Sequence, residues 1–279
     1  MGVSLNRSAV SVPAKVWRLP PSSHALFVLF WAMTCNNALA ETWYRWTDSR
    51  GSMQITKERP PLGVPHTTLN LPDSIPWRNP PAIPRESGTG QSLSVQEMFR
   101  KASGSVYWIR RVATRRESMS QGDTFGSAVA ISDDLALTNC HVLGNSDNEA
   151  ILGSAGSSDQ FPVEVVGANI EADRCIVRVR GTSLRPVTGV RPFDSLEIGE
   201  PVYAIGNPQG LQRTVSDGLL SGIRMLNNQR MLQTTAPISP GSSGGGLFDA
   251  RGNLLGITTS MRVNSQNINF AIPAEDFWK

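Results

Sequence analysis

Short apolar runs separated by glycine and small polar clusters dominate the chain from about residue 105 onward. Runs of this length, rich in β-branched residues and bounded by turn residues, are typical of β-strands. Helical periodicity is nearly absent there, so we predict an all-β barrel or sandwich. The runs form two groups on either side of residues 181–192, which predicts two packed barrels, at about 103–185 and 190–275, in one domain at 93–279. The predicted strands are 106–109, 127–131, 135–138, 163–166, 175–179, 202–205, 214–223, 231–234, 254–258 and 269–272.

Residues 1–40 have the organisation of a secretory signal peptide. Three basic residues and no acidic residue precede a nine-residue apolar run at 25–33, and a small-x-small cleavage site follows at 38–40. The run is too short to cross a bilayer, which disfavours a transmembrane anchor. We therefore expect an exported protein, periplasmic or secreted in a Gram-negative bacterium, with no stable membrane anchor after cleavage.

Residues 41–71 predict a small N-terminal hairpin module. The aromatic segment Trp43–Thr47 and residues 52–56 are strand-like and flank a turn at 48–51. The pattern Tyr-Arg-Trp-x-Asp-x-x-Gly resembles a small module of unknown function found at the N-terminus of many exported proteobacterial proteins. His66 follows among proline and threonine residues, where we expect a solvated loop and a solvated histidine in preference to a catalytic one.

Between this module and the strand-rich domain lies a proline-rich linker, predicted at 72–92. Eight prolines occur between Pro60 and Pro84, followed by a small polar stretch, so no independent core is expected. The segment 92–102 then predicts a short helix. Ser94 is its expected N-cap, and Glu97 is the partner in a capping box.

Charge and cysteine content change once the signal peptide is set aside. The whole chain has 26 basic and 23 acidic side chains, and removal of the three bases in 1–40 leaves a balanced mature chain. This gives no basis for nucleic-acid binding. Two cysteines remain, Cys140 and Cys175, and an even number in an exported protein predicts a disulfide. Two buried free thiols are the alternative.

The segment Pro240–Leu247 places two serines among glycines, a composition that favours a tight loop with exposed backbone N–H groups. Acyl transfer needs a nucleophilic hydroxyl beside such donors. A flexible linker or a surface turn has the same composition. His141 is the only histidine of the strand-rich region, in the segment 138–142 that we expect to end a strand. A lone histidine in a strand context is more often structural than catalytic. Read as a strand with period two, residues 173–179 place Asp173 on the apolar face with Cys175, and Ile176 on the polar face with the arginines.

The order histidine, aspartate, serine on two predicted barrels resembles the chymotrypsin-like serine proteases, and more closely their HtrA/Deg branch. The resemblance covers residues ~95–275, and several motifs at matching spacing are far more specific than any one of them. The matching segments are Thr-Asn-x-His-Val at 138–142, the aspartate strand at 173–179, Ala-Ile-Gly-Asn-Pro-x-Gly-Leu at 204–211, Thr-Val-x-x-Gly-x-x-Ser at 214–221, Pro-Gly-x-Ser-Gly-Gly at 240–245 and Asn-Phe-Ala-Ile-Pro at 269–273.

The resemblance implies a residue-by-residue assignment of roles. Ser243 matches the nucleophile, His141 the general base, and Asp173 the carboxylate that orients it. The backbone N–H groups of Gly241 and Ser243 match the oxyanion hole. The implied activity is hydrolysis of peptide bonds in exported or envelope proteins through an acyl-enzyme, acting on protein or peptide substrates with no metal and no cofactor. If His141 and Asp173 are hydrogen-bonded, a Cys140–Cys175 disulfide ties together the two segments that carry them.

The chain departs from the family pattern at several positions. Ser242 stands where asparagine is usual, and Ser127 and Ala128 follow Gly126 where a second glycine is common. With no sequence given after Lys279, we expect a protease without the PDZ modules typical of HtrA proteins, so trimer assembly is not carried over and the oligomeric state stays open. The alternative function is a catalytically silent or partner-activated protease-fold scaffold in the cell envelope.

The residue six positions before the expected nucleophile predicts the cleavage preference. Trypsin-type enzymes have an aspartate six positions before the serine, and Pro237 stands there in this chain. We therefore predict cleavage after small or medium apolar residues. The expected specificity pocket is formed by Pro237, Ile238, Thr258, Thr259, Ser260 and Met261.

Overall fold

The computed structural model describes residues 42–49, 51, 53–69, 74–76, 84–86, 91–111, 124–144, 150–208, 211–261 and 267–279. All of them belong to one contact unit, Ala38–Lys279. The predicted signal peptide at 1–40 lies outside the described ranges. Within the described ranges, no helix is long and apolar enough to cross a membrane.

The N-terminal segment folds as a three-stranded antiparallel sheet in the order β2-β1-β3. Its strands are β1 (Trp43–Thr47), β2 (Met53–Thr56) and β3 (His66–Leu69). The predicted hairpin corresponds to β1 and β2, whereas β3 was not predicted. The expectation of a solvated loop at His66 was wrong, because the residue lies half-buried in β3, opposite Trp46. Its ring contacts the Tyr44 ring edge-on, with the two centroids 5.5 Å apart.

The described parts of the predicted linker lie against the barrels. A two-residue strand, β4 (Ser74–Ile75), pairs with the end of a barrel strand. Further on, the backbone of Pro84 and Glu86 exchanges two hydrogen bonds with Val190, of 3.0 and 3.1 Å. Such pairing satisfies backbone groups that proline-rich segments otherwise leave to water.

The predicted helix is confirmed as α1 (Val95–Ala102). The Ser94 side chain accepts a hydrogen bond from the Glu97 backbone N–H, and the Glu97 carboxylate accepts one from the Ser94 N–H, as the capping-box pattern predicts. The two buried residues of the helix, Met98 and Ala102, pack between the barrels, so α1 is fixed to the domain by its apolar face.

The first barrel has six antiparallel strands. Their order is β10-β7-β6-β5-β8-β9, and β9 pairs back with β10 to close it, while β4 adds a seventh strand on β9. The strand β8 was not predicted, because it is short and bounded by alanine and glycine. The strands are β5 (Val106–Arg111), β6 (Thr124–Ala130), β7 (Leu135–Thr138), β8 (Ala150–Gly153), β9 (Phe161–Asn169) and β10 (Arg174–Val179).

The second barrel is closed in the order β11-β12-β13-β16-β15-β14. The prediction of two packed barrels is therefore confirmed. The missed strand here is β14, which begins inside the glycine-rich run where no strand pattern is visible. The strands are β11 (Pro201–Gly206), β12 (Thr214–Leu226), β13 (Gln229–Thr234), β14 (Gly246–Asp249), β15 (Leu254–Met261) and β16 (Asn269–Pro273).

Apolar residues form one cluster in each barrel and a third between the barrels. The third cluster joins Leu137 and Ile176 of the first barrel to Phe248 and Ile257 of the second, and Phe277 closes it. The prediction that Ile176 lies on a polar face was wrong, because the second barrel and the C-terminal segment cover that side of β10. This interface fixes the two barrels to each other. It thereby fixes the relative positions of Asp173, beside the first barrel, and Thr259, in the second.

Candidate active site

His141 lies on a single helical turn that directly follows β7. The turn, α2 (Cys140–Leu143), begins after Asn139 in extended backbone and ends at Gly144, whose φ is +68°. The prediction of a strand context for His141 was wrong. In a strand, Cys140 and His141 would point to opposite faces. In the helical turn both are buried, with Cys140 in the barrel cluster and His141 7% exposed.

Asp173 lies in the turn between β9 and β10, one residue before the strand begins. Its φ is +54°, a left-handed conformation that aspartate tolerates better than most residues. The predicted place on the apolar face of the strand was therefore wrong, although the prediction that Asp173 is buried is correct, since 3% of the residue is exposed. The turn is fixed by the Asp173 N–H, which donates to the Ile170 carbonyl, and by the Asn139 amide, which donates to the Asp173 carbonyl.

The Asp173 carboxylate holds His141 through two contacts. Oδ2 lies 2.7 Å from the imidazole Nδ1, and Oδ1 accepts a hydrogen bond of 3.0 Å from the His141 backbone N–H. The Thr259 hydroxyl donates a third hydrogen bond to Oδ2, at 2.8 Å. A buried carboxylate needs such partners to remain ionised. The three donors fix the carboxylate plane and, through it, the orientation of the imidazole.

The environment favours a neutral imidazole beside an ionised carboxylate. Burial lowers the pKa of His141, and the positive charge of Arg45 lowers it further, against the opposing effect of Asp173. Burial by itself would raise the pKa of Asp173, but the charge and hydrogen bonds of His141 and the Thr259 hydroxyl bring it below its usual value. The resting pair is thus a proton acceptor oriented by an anion.

The glycine-rich loop is attached to both barrels. The Ser127 N–H donates to the Ser243 carbonyl at 2.7 Å, and the Ser127 hydroxyl donates to the Gly241 carbonyl at 2.9 Å. From the other side, the Thr258 hydroxyl donates to the Ser242 carbonyl at 2.6 Å. A Cβ atom on Gly244, whose φ is +85°, would lie 1.9 Å from the Ser127 carbonyl oxygen, so the close approach requires glycine.

Thr259 joins the loop to the histidine–aspartate pair. Its hydroxyl donates a hydrogen bond to Asp173, and its backbone carbonyl accepts a hydrogen bond of 2.9 Å from the Ser243 hydroxyl. Among the described residues, this carbonyl is the hydrogen-bond partner of the Ser243 hydroxyl. Thr259 thus contacts both Asp173 and Ser243, which brings Ser243 near the His141–Asp173 pair. The Ser243 hydroxyl is directed to the Thr259 backbone carbonyl.

Two backbone N–H groups of the glycine-rich loop differ from their neighbours because they donate no hydrogen bond to the described residues. Those of Ser242, Gly244 and Gly245 donate to backbone carbonyls at 2.8 Å. Those of Gly241 and Ser243 have no hydrogen-bond acceptor among the described residues. Unpaired N–H groups are uncommon in folded chains and mark places where an acceptor is bound.

The residues predicted to form a specificity pocket divide between several places. Pro237 and Thr258 line a cavity of about 150 Å³ beside Ser242, and the described side chains that line it are uncharged. Ile238 packs against the core of the second barrel. Thr259 is oriented to Asp173 instead of the cavity.

Ser260 and Met261 complete the predicted pocket set. Their backbones pair with Phe270 and Asn269 of β16, and their side chains lie outside the described part of the chain. The structure thus places two of the six predicted pocket residues, Pro237 and Thr258, at this cavity.

Cys140 and Cys175 form a disulfide, with 5.0 Å between the Cα atoms. Both are fully buried. Cys140 directly precedes His141, and Cys175 lies two residues after Asp173, so the bond joins the two segments whose side chains meet. The expected pairing is present because α2 turns Cys140 toward β10.

Three supporting residues were missed or misassigned from the sequence. Ser127 and Thr259 hold the loop and the carboxylate, and Arg45 reaches the pair electrostatically from the N-terminal sheet. The motif at 204–211 holds a further one: Asn207 donates to the Tyr107 carbonyl, and its backbone N–H donates to the Ser127 hydroxyl. Asn207 could have been found from the motif, whereas no local signal marks Arg45.

Comparison with known proteins agrees with this geometry. The trypsin-like peptidase domain family matches residues 126–257. The putative serine protease HhoB of Synechocystis sp. is 27% identical over 264 residues, covering 81% of this chain and 62% of that protein. A probable periplasmic serine endoprotease DegP-like of Pseudomonas fluorescens is 33% identical over 168 residues, covering 58% of this chain and 34% of that protein.

Solved structures extend the likeness to the fold. The HtrA-type protease AlgW with a tripeptide superposes with a TM-score of 0.58 at 31% identity, covering 66% of this chain and 60% of that one. The chain thus spans between about a third and three fifths of the length of these relatives. This chain carries a trypsin-like peptidase domain on a chymotrypsin-like double barrel and is a homologue of the HtrA/DegP-like serine proteases.

Proposed function

We propose that the protein is a serine endopeptidase in which Ser243 is the nucleophile, His141 the general base and Asp173 the orienting carboxylate. The observation that carries the proposal is the 2.7 Å contact between Asp173 Oδ2 and His141 Nδ1, because it fixes the proton on Nδ1 and leaves Nε2 free to accept one. A second observation supports the role of Ser243, because Thr259 contacts both Asp173 and Ser243.

In the proposed reaction, the Ser243 hydroxyl attacks the carbonyl carbon of the scissile peptide bond while its proton passes to His141 Nε2. The negative charge that develops on the carbonyl oxygen is accepted by the N–H groups of Gly241 and Ser243, which are unpaired among the described residues. His141 then gives the proton to the leaving amine, the peptide bond breaks, and an acyl-enzyme remains. Water hydrolyses this ester with the same base.

The proposed reaction needs one movement of the nucleophile. The Ser243 hydroxyl donates to the Thr259 carbonyl at rest, so it must rotate about χ1 toward His141 before it can transfer its proton. This observation favours a second candidate, a protease-fold scaffold that becomes active only when substrate or a partner turns the hydroxyl. The two candidates differ in whether the isolated protein reacts with an active-site probe.

A fluorophosphonate probe tests the proposal directly, because it phosphonylates an activated serine, whose oxygen bonds to phosphorus as fluoride leaves. We expect labelling of the isolated chain that disappears in Ser243→Ala. The matched control is Ser239→Ala, which removes a hydroxyl from the same loop and should retain labelling. No labelling of the folded protein at any pH would refute the endopeptidase and leave the scaffold.

We further propose that the enzyme cleaves after small or medium apolar residues in exported proteins. The uncharged cavity lined by Pro237 and Thr258 supports this preference, since it offers no carboxylate to a lysine or arginine. The name of the DegP-like relative and the buried disulfide support an exported location. A peptide library in which lysine or arginine dominates the cleavage position would contradict the preference.

A further inference from the structure

The N-terminal sheet is packed on the first barrel by one of its two faces. Alternation along β1 places Trp43 and Arg45 on one face and Tyr44 and Trp46 on the other. Trp43 is 7% exposed and belongs to the same apolar cluster as Cys140 and other residues of α2. Its β3 partner, Leu69, is fully buried in that cluster. The face that carries Arg45 is therefore the face directed to the barrel.

We propose that Arg45 is a positioning residue of the active site, delivered by the N-terminal sheet to the covered side of the His141–Asp173 pair, where its charge acts on both groups. The inference rests on the proposed function, and it gives a role in that function to a segment outside the matched peptidase region at 126–257. It also explains why a cation lies half-buried on the barrel-facing side of a small sheet, where partial desolvation is costly.

Electrostatics agree with this placement. Burial lowers the pKa of Arg45, and the Asp173 carboxylate raises it in opposition, so the guanidinium is compensated by the same anion that orients the imidazole. The charge of Arg45 also lowers the pKa of His141. A cation there disfavours protonation of the base, which keeps it able to accept the serine proton at lower pH.

Several other groups face the pair from the elements packed around it. Asp173 contacts His141 from the turn before β10, and the uncharged Thr259 contacts Asp173 from β15. From β5, the Arg111 side chain packs on Gly144 at the end of α2 and is buried. The charge of Asp173 raises the pKa of His141, whereas the charge of Arg45 lowers it.

The sign of the expected effect follows from these charges. When Arg45 is replaced by glutamine, one cause that lowers the pKa of His141 is removed, so the imidazole titrates at higher pH. The base is then protonated over a wider acidic range, and the acid limb of the rate profile moves to higher pH. Arg45→Lys retains the charge and should restore the wild-type profile. Arg59→Gln is the matched control, because it removes the same charge from an exposed position just after β2.

The test is an NMR titration of the His141 imidazole in the full chain, assigned by the signal that His141→Gln removes. We expect the midpoint to move to higher pH in Arg45→Gln and to stay at the wild-type value in Arg45→Lys and Arg59→Gln. If the glutamine variant does not fold, Arg45→Met keeps the aliphatic stem and takes its place. An unchanged midpoint in the folded neutral variant would overturn the proposal.

A second readout separates this proposal from the proposed function. The rate of fluorophosphonate labelling against pH should show the same upward shift of the acid limb in Arg45→Gln. A uniform loss of rate at every pH, with no shift, would mean a merely structural role and would overturn the inference. The NMR titration needs no activity, so a wild-type protein that is never labelled refutes the endopeptidase while the Arg45 inference is still decided by the midpoint.

Discussion

Replacing Thr259 with valine removes one hydrogen bond from the buried Asp173 carboxylate and keeps the shape of the side chain. The hydroxyl donates to Oδ2 at 2.8 Å, and Thr259 and Asp173 are 2% and 3% exposed, so water cannot take its place. A hydrogen bond to a charged group contributes about 1.5–3 kcal/mol to stability. We therefore expect Thr259→Val to unfold at a temperature about 3–12 °C lower, from about 2–4 °C per kcal/mol for a domain of this size.

The same loss should affect catalysis through the orientation of His141. If about 1.4 kcal/mol of the lost hydrogen bond is felt in the transition state, kcat/KM falls about tenfold. Thr259→Ser keeps the hydroxyl and should recover most of the rate. The matched comparison is Thr258→Val in the preceding residue, whose hydroxyl donates to the backbone carbonyl of Ser242 instead of to a carboxylate. Its effect should be independent of the ionisation of Asp173.

The pH dependence of stability distinguishes the two threonines. The folded pKa of Asp173 is lowered, so its contribution to stability is present above the unfolded pKa and is lost as the pH falls through the folded value. Removing the Thr259 hydroxyl raises the folded pKa and reduces that contribution. The stability difference between wild type and Thr259→Val should therefore be largest near neutral pH and shrink in acid. Chemical denaturation at several pH values measures it, and a difference that is constant with pH would refute the reasoning.

Three further perturbations test other parts of the site. Asp173→Asn should lower kcat/KM by about 10⁴-fold with the fold retained, because an amide favours the wrong imidazole tautomer; steady-state kinetics on a peptide substrate measures it, and a loss below tenfold would contradict the assigned role. Reduction of the Cys140–Cys175 bond should destabilise the protein by about 2–5 kcal/mol in denaturant melts, and thiol titration of the unreduced, denatured mature chain should find no free thiol. Gly244→Ala should abolish probe labelling, since the added Cβ would lie 1.9 Å from backbone, whereas Gly252→Ala, also at positive φ but 3.2 Å from a flexible lysine side chain, should retain it.

Much of the fold was predictable because barrel strands leave a local signature. Alternating short apolar runs and turn residues predicted most of the barrel strands, and the division near residues 181–192 predicted two barrels. The strands β8 and β14 and the small strands β3 and β4 were missed, because each contains or adjoins glycine or proline and is decided by a partner distant in sequence. The capping box at Ser94 and Glu97 was correct, since both partners lie within one helical turn.

For the site, the sequence by itself determined which residue types are available: one histidine in the strand-rich region, a serine in a glycine-rich loop, and two cysteines beside the histidine and the aspartate. It could not determine their local geometry: a strand context was predicted for His141, but the residue lies in a helical turn that ends at Gly144. Only the tertiary structure decided that Thr259 supports Asp173, that Ser243 turns its hydroxyl to a backbone carbonyl, and that Arg45 lies on the face of the N-terminal sheet directed to the barrel. The physical reason is that hydrogen bonds and charges act through space between barrels and sheet, whereas periodicity and turn chemistry act only along the chain.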